Sequence, residues 1–152
     1  PAMTDILSLG ARNSIAPGAV NHDIVRHRPE INVTWDLNRL PWLWTDDSFD
    51  EIQAISVFEH LQISLIEACN ECWRILRPGG RLVIKFPMWD GPTTHDDPTH
   101  RWYWSDKALD YLDPTTRPGR EYGGAYSVKP WAIIDRGIIK QRNVKAILEP
   151  RK

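Results

Sequence analysis

Residues Ser48–Pro87 read SFDEIQAISVFEHLQISLIEACNECWRILRPGGRLVIKFP, and the order of patterns within them decides the fold. Asp50 to Ser56 is a short run holding Ile52, Ala54 and Ile55, the length of a strand rather than a helix. From Leu61 to Leu76 the apolar residues Leu65, Cys69, Cys72, Trp73 and Leu76 recur at helical spacing, which places them on one helix face. Pro78-Gly79-Gly80 stops that helix, and glycine can supply the left-handed residue that follows a helix end. Arg81 to Phe86, with Leu82, Val83 and Ile84 in a row, reads as a strand buried on both faces. Strand, crossover helix and second strand make a parallel βαβ unit.

Length and composition set the frame. A chain of 152 residues is one domain, here spanning 1–152, with enough residues for a real core. The formal net charge is −1, from 19 basic and 20 acidic residues, which argues against a nucleic-acid or anionic-membrane partner. No apolar run approaches the roughly 20 residues that span a bilayer, and no signal peptide is visible, so a soluble, cytoplasmic protein is expected. Pro1-Ala2 before Met3 reads as an expression scar, which places the natural start near Met3. Cys69 and Cys72 form a CxxC, but both sit on the apolar face of the expected helix with no second pair to complete a zinc site. They read as core thiols. Eight Trp suggest stacked or apolar contacts at the surface.

FDEI, VFEHL and WRILRPGGRLVIKFP, in that order and spacing, resemble the second half of a class I S-adenosylmethionine-dependent methyltransferase, most closely the small type 11 proteins. The resemblance covers roughly Asp5 to Leu148. It implies a Rossmann-like, mostly parallel sheet of order 3-2-1-4-5-7-6 with strand 7 antiparallel, in a minimal version lacking N-terminal helices. It also implies S-adenosylmethionine as cofactor.

The rest of the chain is read with and without that resemblance. Asp5–Gly10 is a strand running into glycine, and a second short strand ends at Asp23. Glycine lets a backbone approach a nucleoside, and a carboxylate at the next strand tip accepts hydrogen bonds from ribose hydroxyls; a turn glycine and a solvated Asp explain the same residues. The resembled family has GxGxG where this chain has Gly10-Ala11-Arg12. Asp23 follows Gly10 by only 13 residues, and Pro17-Gly18 excludes a long helix between them. Arg12 either meets a ligand carboxylate or faces solvent. Residues 31–36 read as a third strand ending in Asp36, which either sits beside an adenine or caps the following turn. Pro41-Trp42-Leu43-Trp44 reads as a surface-crossing loop whose tryptophans pack on the core. Gly10, Asp23, Asp36 and Ser56 all fall at strand carboxyl ends, where ligands of open α/β sheets bind. By resemblance the cofactor-binding residues are Gly10, Ala11, Asp23, Ile24, Asp36, Leu37, Ser56, Val57 and Phe58.

Glu59 reads as a charge at a helix start; His60 is open between base, substrate contact and partly buried polar residue. Met88–Trp104 (MWDGPTTHDDPTHRWYW) is a long polar and aromatic loop after a strand end, as functional loops are. His95, Asp96, Asp97 and His100 have metal-ligand chemistry. The resembled proteins carry DPxH here without needing metal, so a substrate-facing loop is preferred and no metal is expected. His60, His100 and Asp97 are the candidate catalytic bases. Ser105 caps a short helix; 115–124 is a flexible connection; Tyr126–Trp131, Ala132–Ile139 and Asn143–Leu148 are strand candidates that end in an antiparallel hairpin.

The function expected is methyl transfer to an N, O or C nucleophile of a small or unidentified acceptor. With the first strand so close to the start, the crevice should be open on one side. A large substrate or a second copy of the chain, as a homo-oligomer, would close it. The altered glycine loop leaves a non-catalytic binding module as the alternative, and the missing GxGxxG weighs against a dinucleotide-dependent oxidoreductase.

Overall fold

The quoted stretch folds into β4 (Phe49–Ile55), α1 (Leu65–Ile75) and β5 (Leu76–Pro87) in a computed structural model that describes residues 4–152. The Pro1-Ala2 start lies outside the described residues. β4 and β5 are parallel, with Ile52 beside Leu82 and Ala54 beside Ile84. The helix begins four residues later than its apolar spacing suggests. Ser64 Oγ accepts the Glu67 N–H, and the Glu67 carboxylate accepts the Ser64 N–H. This reciprocal capping box starts the helix at Leu65 and leaves Phe58–His60 as a separate 3₁₀ turn.

The Pro-Gly-Gly segment behaves differently from expectation. Leu76, already extended, ends α1, and the left-handed residue is Gly79 (φ 80°), within β5. It lies where the β4–β5 pairing slips between Phe49 and Glu51. The three residues therefore form a strand irregularity, not a helix cap.

The other strands are β1 (Ile6–Leu9), β2 (Val20–Asp23), β3 (Val33–Thr34), β6 (Trp131–Ile139) and β7 (Asn143–Pro150). Together they form one seven-stranded sheet of order β3-β2-β1-β4-β5-β7-β6. β1 is parallel to β2 and β4, and β7 runs antiparallel to β5 and β6. The expected order and its antiparallel strand are thus present. No helix joins β1 to β2, in keeping with Pro17-Gly18.

Burial within β5 corrects the expectation of a strand buried on both faces. Leu82, Ile84 and Phe86 are fully buried, while Val83 and Lys85 between them are half-buried and Arg81 is exposed. Leu7, Ile52, Leu82 and Leu148 form one buried row across β1, β4, β5 and β7, and Leu9, Ala54, Ile84 and Ala146 form the next. All eight point to one face, into a core that also contains Leu65, Ala68, Cys69, Cys72 and Ile75 of α1. On the opposite face Gln53, Val83 and Ile147 are half-buried, and only Ser8 and Asn21 of the same row are closed off.

Residues 35–48 do the work of a second helix on the core face. Trp42 is buried and its Nε1–H donates to the Leu37 carbonyl; Trp44 meets Trp42, Phe49 and His22 edge-on. Arg74 of α1 holds this loop. Its guanidinium donates to the carbonyls of Trp42 and Trp44 and to the carboxylates of Glu71 and Asp46. Trp73 lies at the flank of α1, donating to the Pro130 carbonyl with Lys152 4.7 Å above its ring.

Two further differences concern the C-terminal third. The connection expected to be flexible contains α2 (Arg117–Tyr122), because Thr116 caps it and Pro118 suits a first helical turn. Of the two strand candidates around Pro130, only the second is a strand: β6 starts at Trp131, leaves 126–130 outside it, and has a bulge between Ile133 and Asp135 that absorbs the polar Asp135-Arg136-Gly137. Tyr126 lies outside it, stacked with Tyr111 and Tyr122. Ser105 caps a 3₁₀ helix over Asp106–Leu112.

Both cysteines are free and fully buried, and burial pushes the Cys69 thiol up to about 12. Neither should react with DTNB in the native protein at neutral pH, and both should react in denaturant. Arg74→Ala should lower the unfolding free energy by about 1.5–3 kcal/mol, the scale of hydrogen bonds to a charged group; urea titration measures it.

Candidate functional site

The carboxyl ends of β1, β2, β3 and β4 meet at a cleft of about 540 Å³, lined among others by Gly10, Asp23, Ile24, Asp36, Leu37, Ser56, Val57 and His60. Its floor depends on glycine. Gly10 has φ 57°, and a Cβ there would lie 2.7 Å from Val57 Cγ2. Ser56, at the end of β4, also holds a left-handed backbone (φ 56°), an uncommon conformation for a residue other than glycine.

His22 joins two walls of the cleft. Its Nδ1 accepts the Gly10 N–H at 3.3 Å, and its Nε2–H donates to the Trp35 carbonyl at 2.8 Å, so these partners assign the neutral Nε2–H tautomer. The ring is almost fully buried, and that desolvation holds its pKa below the usual histidine range. At Asp23, Oδ1 accepts the Ile24 N–H at 2.7 Å, while the residue itself is only half-buried. Asp36 Oδ1 accepts the Asn38 N–H, so the turn-capping reading of Asp36 holds even though the residue also faces the cleft. Asn38 in turn accepts the Gln62 N–H at 2.7 Å.

Ala11 and Phe58, both expected to bind cofactor, do not line the cleft. Ala11 is fully buried with its N–H given to the His22 carbonyl. Phe58 packs in the core, its ring 6.5 Å from that of Trp42. Arg12, His22, Trp35, Asn38, Leu61 and Thr99 line the cleft as well. Of these, only Arg12 was weighed as a ligand contact from sequence. His22 had a signal, a polar residue beside the strand-tip carboxylate, but its burial depends on which way β2 faces.

The three candidate bases come together at the rim. His60 lines the cleft, and its ring centroid is 4.7 Å from that of His100, edge-on. Thr99 Oγ1 donates to Asp97 Oδ1 at 2.7 Å and lies 2.8 Å from His60 Nδ1. With its proton committed to Asp97, Thr99 accepts from His60 Nδ1–H. Burial and the neighbouring His100 lower the His60 pKa, whereas the hydroxyl and N–H of Thr99 hold Asp97 below the usual carboxylate range. His95 stands apart: its Nε2 bonds the Trp89 carbonyl and its ring lies on Tyr103.

Glu59 is not the solvated helix-start charge expected. Its side chain is 1 % exposed, and Oε1 has no hydrogen-bond partner. Burial, only partly offset by its own backbone N–H and His100, pushes the carboxyl up to about 7. The loop after β5 crosses over it, with the Arg101 N–H donating to the Glu59 carbonyl at 2.7 Å.

A mixed sheet of order 3-2-1-4-5-7-6 with one antiparallel strand, and a cleft at the carboxyl ends of strands 1 to 4, define the class I methyltransferase fold. Residues 15–84 match the family model described as a methyltransferase domain. The chain thus has the class I fold, and over that segment it is similar to the type 11 methyltransferase domain. Among solved structures, it is similar to the putative methyltransferase in complex with the Haloferax volcanii Trm112 methyltransferase activator (12% identity, TM-score 0.63, covering 98% of this chain and 83% of that one). A SAM-dependent methyltransferase from Thermotoga maritima, described as a possible histamine N-methyltransferase, gives 14% identity and TM-score 0.62 over 100% and 84% of the two chains. The [4+2]-cyclase SpnF gives 11% identity and TM-score 0.66 over 97% and 74%. A search of curated proteins returned no match.

His22→Ala should cost about 1–3 kcal/mol, since two groups lose their partner. The pH sign follows from the depressed folded pKa: the His22 contribution is complete above the unfolded value of 6.5 and is lost as pH falls through the folded one. Thermal melts between about pH 7.5 and pH 5 should therefore show a steeper decline for wild type than for His22→Ala.

Proposed function

We propose that the chain binds S-adenosylmethionine in the cleft between β1 and β4 and transfers its methyl group to an N, O or C nucleophile of an acceptor that enters over His60. The observation that carries this is the convergence of Gly10, Asp23, Asp36 and Ser56, from four strand ends, on one cleft. Its volume of about 540 Å³ suits a ligand of nucleoside size. The donor set also fits: Asp23, with Oδ1 tied to Ile24, is positioned to take ribose hydroxyls, and Leu37 and Asn38 form an apolar and a polar wall for a base. Arg12 supplies a cation for a carboxylate.

When bound, the sulfonium supplies an electrophilic methyl carbon and a neutral thioether leaving group. The protein's part is alignment, and a base is required only for a nucleophile that keeps its proton. His60 is the best placed of the three candidates, since it alone lines the cleft; Asp97 orients it through Thr99, and His100 packs against it.

The same fold is carried by a [4+2]-cyclase, so the choice of methyl transfer leans on the match at residues 15–84. The Haloferax neighbour is in complex with an activator; for this chain, a second copy or another subunit seated at the cleft is the corresponding reading. Free, buried cysteines are consistent with a reducing, cytoplasmic setting. Among the described residues no helix is long and apolar enough to cross a membrane.

Calorimetric titration with S-adenosylmethionine and S-adenosylhomocysteine tests the reading. Wild type should bind both, and Asp23→Ala should lose about 1–3 kcal/mol as charge-assisted hydrogen bonds disappear. A folded wild type that binds neither would remove the methyltransferase assignment and leave a partner-binding role.

A further inference from the structure

Glu59, His60 and His100 each offer a ligand atom, and the three atoms lie within 4.8 Å of one another. Proximity alone would carry little; the hydrogen bonds around them carry more. His100 Nδ1 is 2.7 Å from the Thr94 carbonyl, which can only accept, so Nδ1 holds the proton and Nε2 a lone pair. His60 Nδ1 donates to Thr99, whose own proton goes to Asp97, so His60 Nε2 also presents a lone pair. That atom lies 3.9 Å from Glu59 Oε2, and His100 Nε2 lies 3.7 Å from Asp97 Oδ2. Glu59 adds an almost fully buried carboxyl whose Oε1 has no partner.

Two imidazole lone pairs and a buried carboxyl with one unpartnered oxygen thus meet in one place. Each histidine has its other nitrogen tied to a carbonyl or, through Thr99, to a carboxylate, the arrangement that orients metal-bound imidazoles. The geometry points to a divalent transition-metal site formed by Glu59, His60 and His100 at the rim of the cleft, with Asp97 Oδ2 within reach as a fourth ligand. Two imidazoles and one carboxylate suit zinc, cobalt or manganese. This is not the His95, Asp96, Asp97 and His100 set suggested by the loop sequence, because His95 is bonded elsewhere. Since His60 also lines the cleft, an ion here could take an acceptor oxygen in an open position and polarise it. That extension, unlike the site itself, rests on the methyl-transfer reading. A bound ion would occupy the His60 lone pair, so His60 cannot then act as a base.

The test needs no S-adenosylmethionine. Protein stripped with EDTA and desalted is titrated with Zn²⁺ by calorimetry and with Co²⁺ by visible absorption. Wild type should take one ion per chain. Glu59→Gln and His100→Asn should each weaken binding by more than about tenfold, and Thr99→Val by about tenfold through the freed His60 ring. His95→Ala should bind as wild type does. Circular dichroism melts report folding of each variant. The Co²⁺ spectrum of wild type reads the ligands without any substitution, with intense bands expected for a low-coordinate imidazole site. No uptake by folded wild type, a spectrum like that of aqueous Co²⁺, or binding indifferent to Glu59→Gln and His100→Asn would each overturn the proposal.

Discussion

Connections in a parallel sheet must cross one of its faces, and right-handed crossovers decide which one. From β1 to β2 to β3 the chain moves one way across the sheet; from β3 to β4 to β5 it moves the other way. Residues 35–48 and α1 therefore share a face, and they meet there, joined by Arg74 and Glu71. The first two connections belong to the opposite face, and neither contains a helix. The outcome is a sheet with one face sealed by Leu7, Ile52, Leu82, Leu148 and the next row, and the other only half-covered. Most features of the molecule follow from this asymmetry. The core is built on one side, so tryptophans take up volume that a helical layer would fill, and strands that would otherwise read as continuous apolar runs alternate.

The cleft inherits the same economy. Without a helix after β1, no helix N-terminus reaches it from that side. Its base is held instead by side chains: His22 links the Gly10 turn to the end of β3, Val57 packs where a Cβ on Gly10 would stand, and Asn38 ties the loop after β3 to the start of the 61–64 segment. Buried polar groups of this kind are favourable only when satisfied. Those of His22 are satisfied, whereas Oε1 of Glu59 at the rim is not. An unsatisfied carboxyl beside two oriented imidazoles is costly for a structural element and is a common feature of functional sites.

Legibility differed by the range of the interaction. The β4–α1–β5 unit, the loop connection around Pro17-Gly18, the burial of Cys69 and Cys72 and the terminal hairpin all rest on contacts between neighbours in sequence or on local backbone limits. The late start of α1 was also local: Ser64 and Glu67 are a capping pair that the apolar spacing of 61–76 conceals. Arg81–Phe86 misled because three consecutive apolar residues look the same whether the second face is covered or bare, and covering it depends on connections far from β5. Ala11 and Phe58 adjoin true cleft residues in sequence, but alternation along the chain turns every second side chain into the core.

By itself the sequence determined the β4–α1–β5 unit, the terminal hairpin and the four strand ends that face one cleft, because periodicity, Pro and Gly act over a few residues; the order of the sheet came with the family resemblance. Tertiary structure alone decided which face is sealed, that His22 is an internal link, and that Glu59 meets His60 and His100. His60 and His100 are brought together by the return of the 88–104 loop over the end of β4, where the Glu59 carbonyl takes the Arg101 N–H. Convergence of that kind depends on packing between distant segments, and no local pattern of residues encodes it.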